Sequence, residues 1–236
     1  MAQTVTRPSG APEGWPEPIH DSEIYSMFLV DQLEYRTGDE VDAVGWDIIY
    51  WMGGDYNRLW VETEGQDFTE KEGSEVEKFD VLYGRLFAPF WDFQAGIGYQ
   101  RIWQPGPDHD RLSAVIGLQG LSPYRFEVDT NLRISEDGDV SADFQATYDI
   151  RLTQRLVLQP RFETLFAFQE VEEFGVGQGF NFVGLSARLR YEIRRELAPY
   201  LGVTWSRELG ETADMAESEG EDLEELALVV GVRFWF

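Results

Sequence analysis

Imidazole side chains are scarce in this 236-residue chain, which has two histidines. His20 lies in a Pro- and Gly-rich N-terminal stretch. His109 lies between Asp108 and Asp110 in the segment QPGPDHDR. An imidazole between two carboxylates offers a reasonable set of ligands for a divalent ion. The alternative interpretation of this segment is a solvated loop.

Thioether sulfur is the other soft ligand that the chain offers. Met27 and Met52 lie near the start of one strand-like segment and near the end of another, and a thioether can bind a soft ion such as Cu(I). Together, His20, Met27, Met52 and His109 are the candidate metal ligands. There is no cysteine, so disulfides and thiolate sites are excluded.

Nothing in the sequence supports catalysis or nucleic-acid binding. A nucleophile needs a nearby base, and neither histidine lies on a strand beside a serine. We therefore predict no enzyme. The formal charge of -25 argues against a nucleic-acid surface and suits the handling of cations, although it also suits a protein adapted to high salt.

Alternation of apolar and charged residues dominates the chain after residue 22. In YRFEVDTNLRI, from Tyr124 to Ile134, every second residue is apolar or threonine and the others are charged or amide. Successive side chains of a strand point to opposite faces, so such a segment has one apolar face and one ionic face. Similar segments span about 26–36, 43–54, 57–65, 78–88, 91–101, 111–121, 124–134, 140–151, 155–168, 180–193, 197–207 and 226–236.

The connections between these segments alternate in length. Short turns near 55–56, 89, 122–123, 153–154 and 194–196 alternate with longer loops at 37–42, 66–77, 102–110, 135–139, 169–179 and 208–225. Short periplasmic turns and longer extracellular loops are typical of outer-membrane barrels. Pro160 lies within a predicted strand and should require a bulge or a bend.

We predict an all-β fold: a single closed antiparallel transmembrane β-barrel of about 12 strands over residues 23–236, in the bacterial outer membrane. Residues 1–22 should form a flexible tail. The apolar face should contact outer-membrane lipid, with aromatic residues at the strand ends. In such a barrel Met27 and Met52 would contact lipid or pack near the periplasmic rim. A soluble β-sandwich or lipocalin-like barrel with reversed faces is the alternative. No signal peptide is visible in MAQTVTRPSGAPEGWPEP, which lacks an apolar core; one hypothesis is that a signal was cleaved before this segment.

The ionic face should then line a narrow lumen, because twelve strands lie between barrels filled by side chains and wide channels. These charges could form an ion-selective path or a salt-bridge network that closes the barrel. The candidate lining residues are Glu34, Asp47, Arg58, Glu62, Glu64, Arg85, Asp92, Arg125, Glu127, Asp129, Asp143, Arg161, Glu163, Arg188 and Arg190.

The chain resembles the copper resistance protein B family of bacterial outer-membrane proteins. The resemblance covers nearly all of residues 23–236, in the stretches LVDQLEYR, GWDIIYWMGGDYNRLWVETEG, LYGRLFAPFWDFQAGIGYQ, VIGLQGLSPYRFEVD, LTQRLVLQPRFE, LRYEIRRELAPYLGVTW and VGVRFWF.

This resemblance implies a role in copper resistance, with copper ions transported or transiently bound. Family members commonly carry a Met- and His-rich segment before the barrel. This sequence departs from that pattern, because its first 22 residues contain only His20 and Met1 of these types. We expect a barrel that passes or controls copper ions through its lumen. The alternative is a closed structural or binding barrel that acts through a periplasmic copper-binding partner.

Overall fold

The computed structural model describes residues 23–38, 42–69, 73–103, 108–220 and 222–236. The predicted flexible tail, with His20, lies outside these residues. Within the described part of the chain, no helix combines the length and hydrophobicity needed to cross a membrane.

Antiparallel strands make up nearly all of the described structure. Thirteen strand segments follow one another along the chain: β1 (Tyr25–Gly38), β2 (Ala43–Gly53), β3 (Asn57–Phe68), β4 (Ser74–Ala88), β5 (Trp91–Trp103), β6 (His109–Leu121), β7 (Phe126–Ser135), β8 (Val140–Tyr148), β9 (Ile150–Arg151), β10 (Leu156–Ala167), β11 (Gly179–Tyr191), β12 (Leu197–Glu208) and β13 (Glu224–Trp235).

Each strand pairs with its neighbours in sequence, and β13 pairs with β1, so the sheet closes on itself. The segments β8 and β9 both pair with β10 and form one interrupted strand. The result is a closed barrel of 12 antiparallel strands, which confirms the predicted fold. Closure leaves no unpaired sheet edge, as a wall surrounded by hydrocarbon requires.

The interruption between β8 and β9 lies opposite Pro160. Thr147 pairs with Arg161 on one side of the gap, and Ile150 pairs with Leu158 on the other. The register is therefore the same on both sides, and no bulge residue is inserted here. Proline has no N–H to donate, so the ladder is broken locally rather than shifted. Across the gap, Gln159 Nε2 donates to Asp149 Oδ1 at 3.0 Å.

The two faces of the wall have the polarity that the alternation predicts. Exposed side chains on the outside are apolar, such as Ile97, Leu201 and Leu228, with 61–65% of their surface exposed. Charged residues are buried inside, including Glu34, Asp80 and Arg161. A small apolar cluster also occupies part of the interior, where Trp60, Leu82 and Val115 pack together with Ile49 and Trp51.

The connections sort into two ends of the barrel, which we call the turn end and the loop end. At the turn end, Pro123–Arg125 forms one turn of 3-10 helix, so β7 begins two residues later than predicted. At the loop end, the acidic segment after β12 contains a helix, α1 (Gly210–Glu219), within the stretch 208–225 that the sequence predicted to be a long loop. Thr212 Oγ1 in α1 accepts hydrogen bonds from Gly177 N at 2.9 Å and from Asn181 Nδ2 at 2.6 Å. These two contacts hold α1 beside β11.

Candidate functional site

The interior of the barrel contains almost all of the predicted lining residues. Their side chains lie in ion pairs with other interior groups or line interior cavities. The interior members of the predicted set are Glu34, Asp47, Arg58, Glu62, Glu64, Asp92, Glu127, Asp129, Asp143, Arg161, Glu163, Arg188 and Arg190.

Two predicted lining residues lie elsewhere, and their assignment to the lumen was wrong. Arg85 is exposed and shares the strand phase of Tyr83 and Phe87, so it belongs to the outer face. Arg125 lies in the turn before β7, with a φ of 67°, before the alternating strand begins.

The centre of the lumen is crossed by Arg161 of β10. Its Nη2 lies 3.3 Å from Glu64 Oε1 on β3, and its Nη1 lies 3.1 Å from Asp47 Oδ2 on β2. Its guanidinium also pairs with Glu163 and donates to Gln145 Oε1 at 2.5 Å. Because these partners come from both sides of the barrel, the lumen at this level is no wider than two extended side chains.

Lys78 of β4 carries the second positive charge at this level. Its Nζ lies 2.8 Å from Glu62 Oε2 and 3.7 Å from Asp129 Oδ2 on β7. We call this charged layer the waist; it comprises Asp47, Glu64, Lys78, Asp129, Gln145 and Arg161.

Two further arginines connect strands that are not neighbours. Arg188 of β11 donates to Glu34 of β1 from Nε at 2.9 Å and from Nη2 at 2.8 Å. Tyr200 Oη donates to the same carboxylate at 2.8 Å. Arg133 of β7 donates two hydrogen bonds to the Asp80 carboxylate of β4, at 2.9 and 2.8 Å. These buried bidentate pairs fix the shape of the barrel's interior.

A cavity lies on each side of the waist. The loop-end cavity has a volume of about 170 Å³ and the turn-end cavity about 380 Å³. Glu64, Lys78, Asp129 and Gln145 line both of them. Because these four residues all belong to the waist, the waist forms the boundary between the two cavities.

Both cavities are lined by more acidic than basic side chains. Six carboxylates and four basic side chains line the loop-end cavity, whereas six carboxylates and two basic side chains line the turn-end cavity. A confined excess of negative charge attracts cations. The electrostatics of the interior thus favour a cation over an anion.

In the part of the chain that the structure describes, one carboxylate in each cavity forms no hydrogen bond and no ion pair. Glu77 lines the loop-end cavity and Glu127 the turn-end cavity. Among the residues that the structure describes, neither carboxylate has a hydrogen bond or an ion pair with another side chain. They are thus the interior carboxylates most available to an incoming cation.

The candidate metal ligands are not brought together. Met27 faces the interior, because it lies opposite Trp51, whose ring packs beside Trp60 inside the barrel. Met52 faces outward and is 38% exposed. His109 begins β6 at the loop end, far from both. His20 falls outside the described residues.

The predicted cluster around His109 is not assembled. Asp108 pairs instead with Arg101, at 2.7 Å. Over the described ranges, no group of three or more His, Asp or Glu side chains is placed to hold a metal ion. The described interior is therefore charged but contains no preformed coordination site for a metal ion.

Sequence reasoning missed several interior charges, notably Asp31, Lys78, Asp80 and Arg133. Asp31 faces inward because the pairing of β1 shifts between Val30 and Gln32, which reverses the phase of the strand. Asp80 and Arg133 follow the simple alternation, so the strand phase of β4 and β7 was a sufficient signal for them.

Comparison with known proteins adds a family and a fold. The family model described as copper resistance protein B precursor matches residues 24–236. The Copper resistance protein B of Escherichia coli is 39% identical over 219 residues, which are 92% of this chain and 72% of that protein. The homolog from Pseudomonas syringae pv. tomato is 37% identical over 218 residues, with the same coverage.

Solved structures with a similar fold are outer-membrane porins. The NanC porin has a TM-score of 0.55 at 12% identity, over 88% of this chain and 98% of that chain. The KdgM porin has a TM-score of 0.51 at 10% identity, over 89% of this chain and 98% of that chain. At such identities the likeness concerns the barrel fold alone.

Proposed function

The chain belongs to the copper resistance protein B family, and from this premise we propose that its barrel controls the passage of copper ions across the outer membrane. Membership supports the role in copper resistance, and the porin-like fold supports the location. The observation that carries the proposed mechanism is the acidic lumen divided by Arg161.

The mechanism is electrostatic and non-enzymatic. The excess of carboxylates draws a cation into either cavity, where Glu77 or Glu127 is available to meet it. To go further, the cation must replace Arg161 or Lys78 as the partner of the waist carboxylates. This exchange of one positive charge for another makes the waist a controlled barrier rather than an open pore.

Copper is the substrate in this proposal, and oxygen ligands are what the described interior offers it. Met27 supplies the single interior thioether among the candidate ligands, at the turn-end mouth. The proposed preference for copper therefore rests on the family.

A second candidate function follows from the same waist. If Arg161 stays in place, the barrel is closed and contributes to copper resistance by binding a periplasmic copper-handling protein. The ion pair between Arg161 and Glu64, which connects opposite sides of the barrel, is the observation that favours this alternative.

Metal flux into proteoliposomes tests the first proposal. Copper, zinc and sodium should be compared for the wild type, Glu127→Gln and the control Asp55→Asn, which removes an exposed carboxylate at the same end. We expect copper flux that falls in Glu127→Gln and is unchanged in Asp55→Asn. Equal flux of all three ions contradicts selectivity for copper. Absence of flux, together with absence of current in planar bilayers, supports the closed barrel instead.

A further inference from the structure

Arg85 is a charged residue on the lipid-facing surface. It lies on β4 three residues before the strand ends at Ala88, in the same phase as Tyr83 and Phe87, which are 54% and 60% exposed. Exposed aromatic rings at a strand end mark the boundary between lipid headgroups and hydrocarbon. Arg85 therefore lies near the headgroups of the leaflet at the turn end.

The guanidinium of Arg85 has no protein partner in the described part of the chain. Two arginines near the loop end, unlike Arg85, have acidic partners: Arg101 pairs with Asp108 at 2.7 Å, and Arg207 pairs with Glu224 at 2.6 Å. An unpaired arginine on the lipid face is costly in hydrocarbon and is tolerated near the interface. A negatively charged group from the membrane would complete its hydrogen bonding.

A groove on the outer face begins at Arg85 and is almost entirely apolar. Its volume is about 710 Å³, and Phe93, Leu118, Leu132 and Ala142 are among the residues that line it. Thr130 also lines it, but its hydroxyl donates to the Asp143 carbonyl at 2.9 Å. The groove thus combines one cationic end with an apolar floor.

We infer that this groove binds one phospholipid with an anionic headgroup, in the leaflet at the turn end. The phosphate accepts hydrogen bonds from the Arg85 guanidinium, and an acyl chain lies along Phe93, Leu118 and Ala142. The planar fork of an arginine side chain matches the geometry of phosphate oxygens. This site is separate from the lumen, so the inference does not depend on copper passage.

Native mass spectrometry of the purified barrel measures this binding directly, with phosphatidylglycerol as the probe and phosphatidylcholine as the neutral comparison. Arg125→Gln is the matched control, because Arg125 is also an exposed arginine at the turn end but lies outside the groove. We expect Arg85→Gln to weaken phosphatidylglycerol binding about tenfold, as loss of a charge-assisted hydrogen bond does. Arg85→Lys should retain part of the affinity, and Arg125→Gln should retain all of it.

A second variant tests the groove without changing its charge. Ala142→Phe fills the floor and should also weaken binding, while circular dichroism verifies that the barrel has folded. Unchanged binding in Arg85→Gln, or an equal loss in Arg125→Gln, overturns the inference. It is also overturned if lipopolysaccharide displaces phosphatidylglycerol and binds in an Arg85-dependent manner.

Discussion

Arg161 and Glu64 meet across the full width of the barrel, with Nη2 and Oε1 3.3 Å apart. Their strands, β10 and β3, lie on opposite sides of the closed sheet, because the number of strands between them is the same in either direction around it. An ion pair of this kind resists both widening of the wall and passage through it.

Removal of this bridge should open the lumen. In Arg161→Ala the loop-end and turn-end cavities should join, and the lumen should become more negative. We expect higher single-channel conductance and stronger preference for cations in planar bilayers. Arg58→Ala is the control, since Arg58 pairs with Asp92 near the turn end and does not cross the waist. Equal conductance of Arg161→Ala and the wild type would show that another group closes the lumen.

Glu34 should be important for stability. Its carboxylate is 2% exposed and accepts hydrogen bonds from Arg188 and Tyr200. Glu34→Gln leaves the Arg188 charge without its partner, and breaking a buried pair costs about 3 kcal/mol or more. We expect a loss of about 3 kcal/mol in the free energy of unfolding in urea with lipid vesicles.

Arg207→Gln supplies the comparison for Glu34. Arg207 and Glu224 form an exposed pair at the loop end, and such pairs contribute about 0–1 kcal/mol. A loss in Glu34→Gln no larger than that in Arg207→Gln would show that the interior network does not stabilise the barrel.

The two strand methionines should differ in their surroundings. The chain contains no cysteine, so Met27→Cys and Met52→Cys each introduce one thiol. We expect a water-soluble maleimide to modify residue 27, which faces the lumen mouth, much faster than residue 52, which faces lipid. A quencher that partitions into the lipid should reduce the fluorescence of a label attached at position 52, and it should not reduce the fluorescence of a label attached at position 27. The reverse order of reactivity would mean that the strand phase of β1 and β2 is wrong.

Thr212 should hold α1 in place. Its hydroxyl oxygen accepts hydrogen bonds from Gly177 N and Asn181 Nδ2. In Thr212→Ala we expect faster amide hydrogen exchange in α1 and unchanged exchange in the strands. Ser218→Ala is the control, because its hydroxyl donates only to Met215 O within the helix. Identical exchange in the two variants would exclude this role of Thr212.

The sequence predicted the wall of the barrel well because a single period governs it. Each lipid-facing residue is followed by an interior one, and alternation shows this without tertiary information. The same rule is sufficient for Arg85, whose neighbours in phase, Tyr83 and Phe87, face outward, whereas its charge alone wrongly indicates the lumen.

Other features depend on structure that the sequence does not display. The shift in β1 after Val30 reverses which residues face inward, and this made Asp31 an interior residue. The partners of Arg161 depend on the stagger of strands that are distant in sequence. By contrast, α1 was predictable in principle, since Ala, Glu and Met favour helix and Gly220, with a φ of 82°, ends it.

The gap opposite Pro160 has a consequence for where the wall of the barrel opens first. A β-sheet is held together by backbone hydrogen bonds between neighbouring strands. At this gap the backbone pairing with β10 is interrupted, and side chains bridge it instead: Asp149 accepts hydrogen bonds from Gln159 Nε2 at 3.0 Å and from Arg190 Nη2 at 2.7 Å. Under denaturant, separation of neighbouring strands should therefore begin between β10 and the interrupted strand formed by β8 and β9.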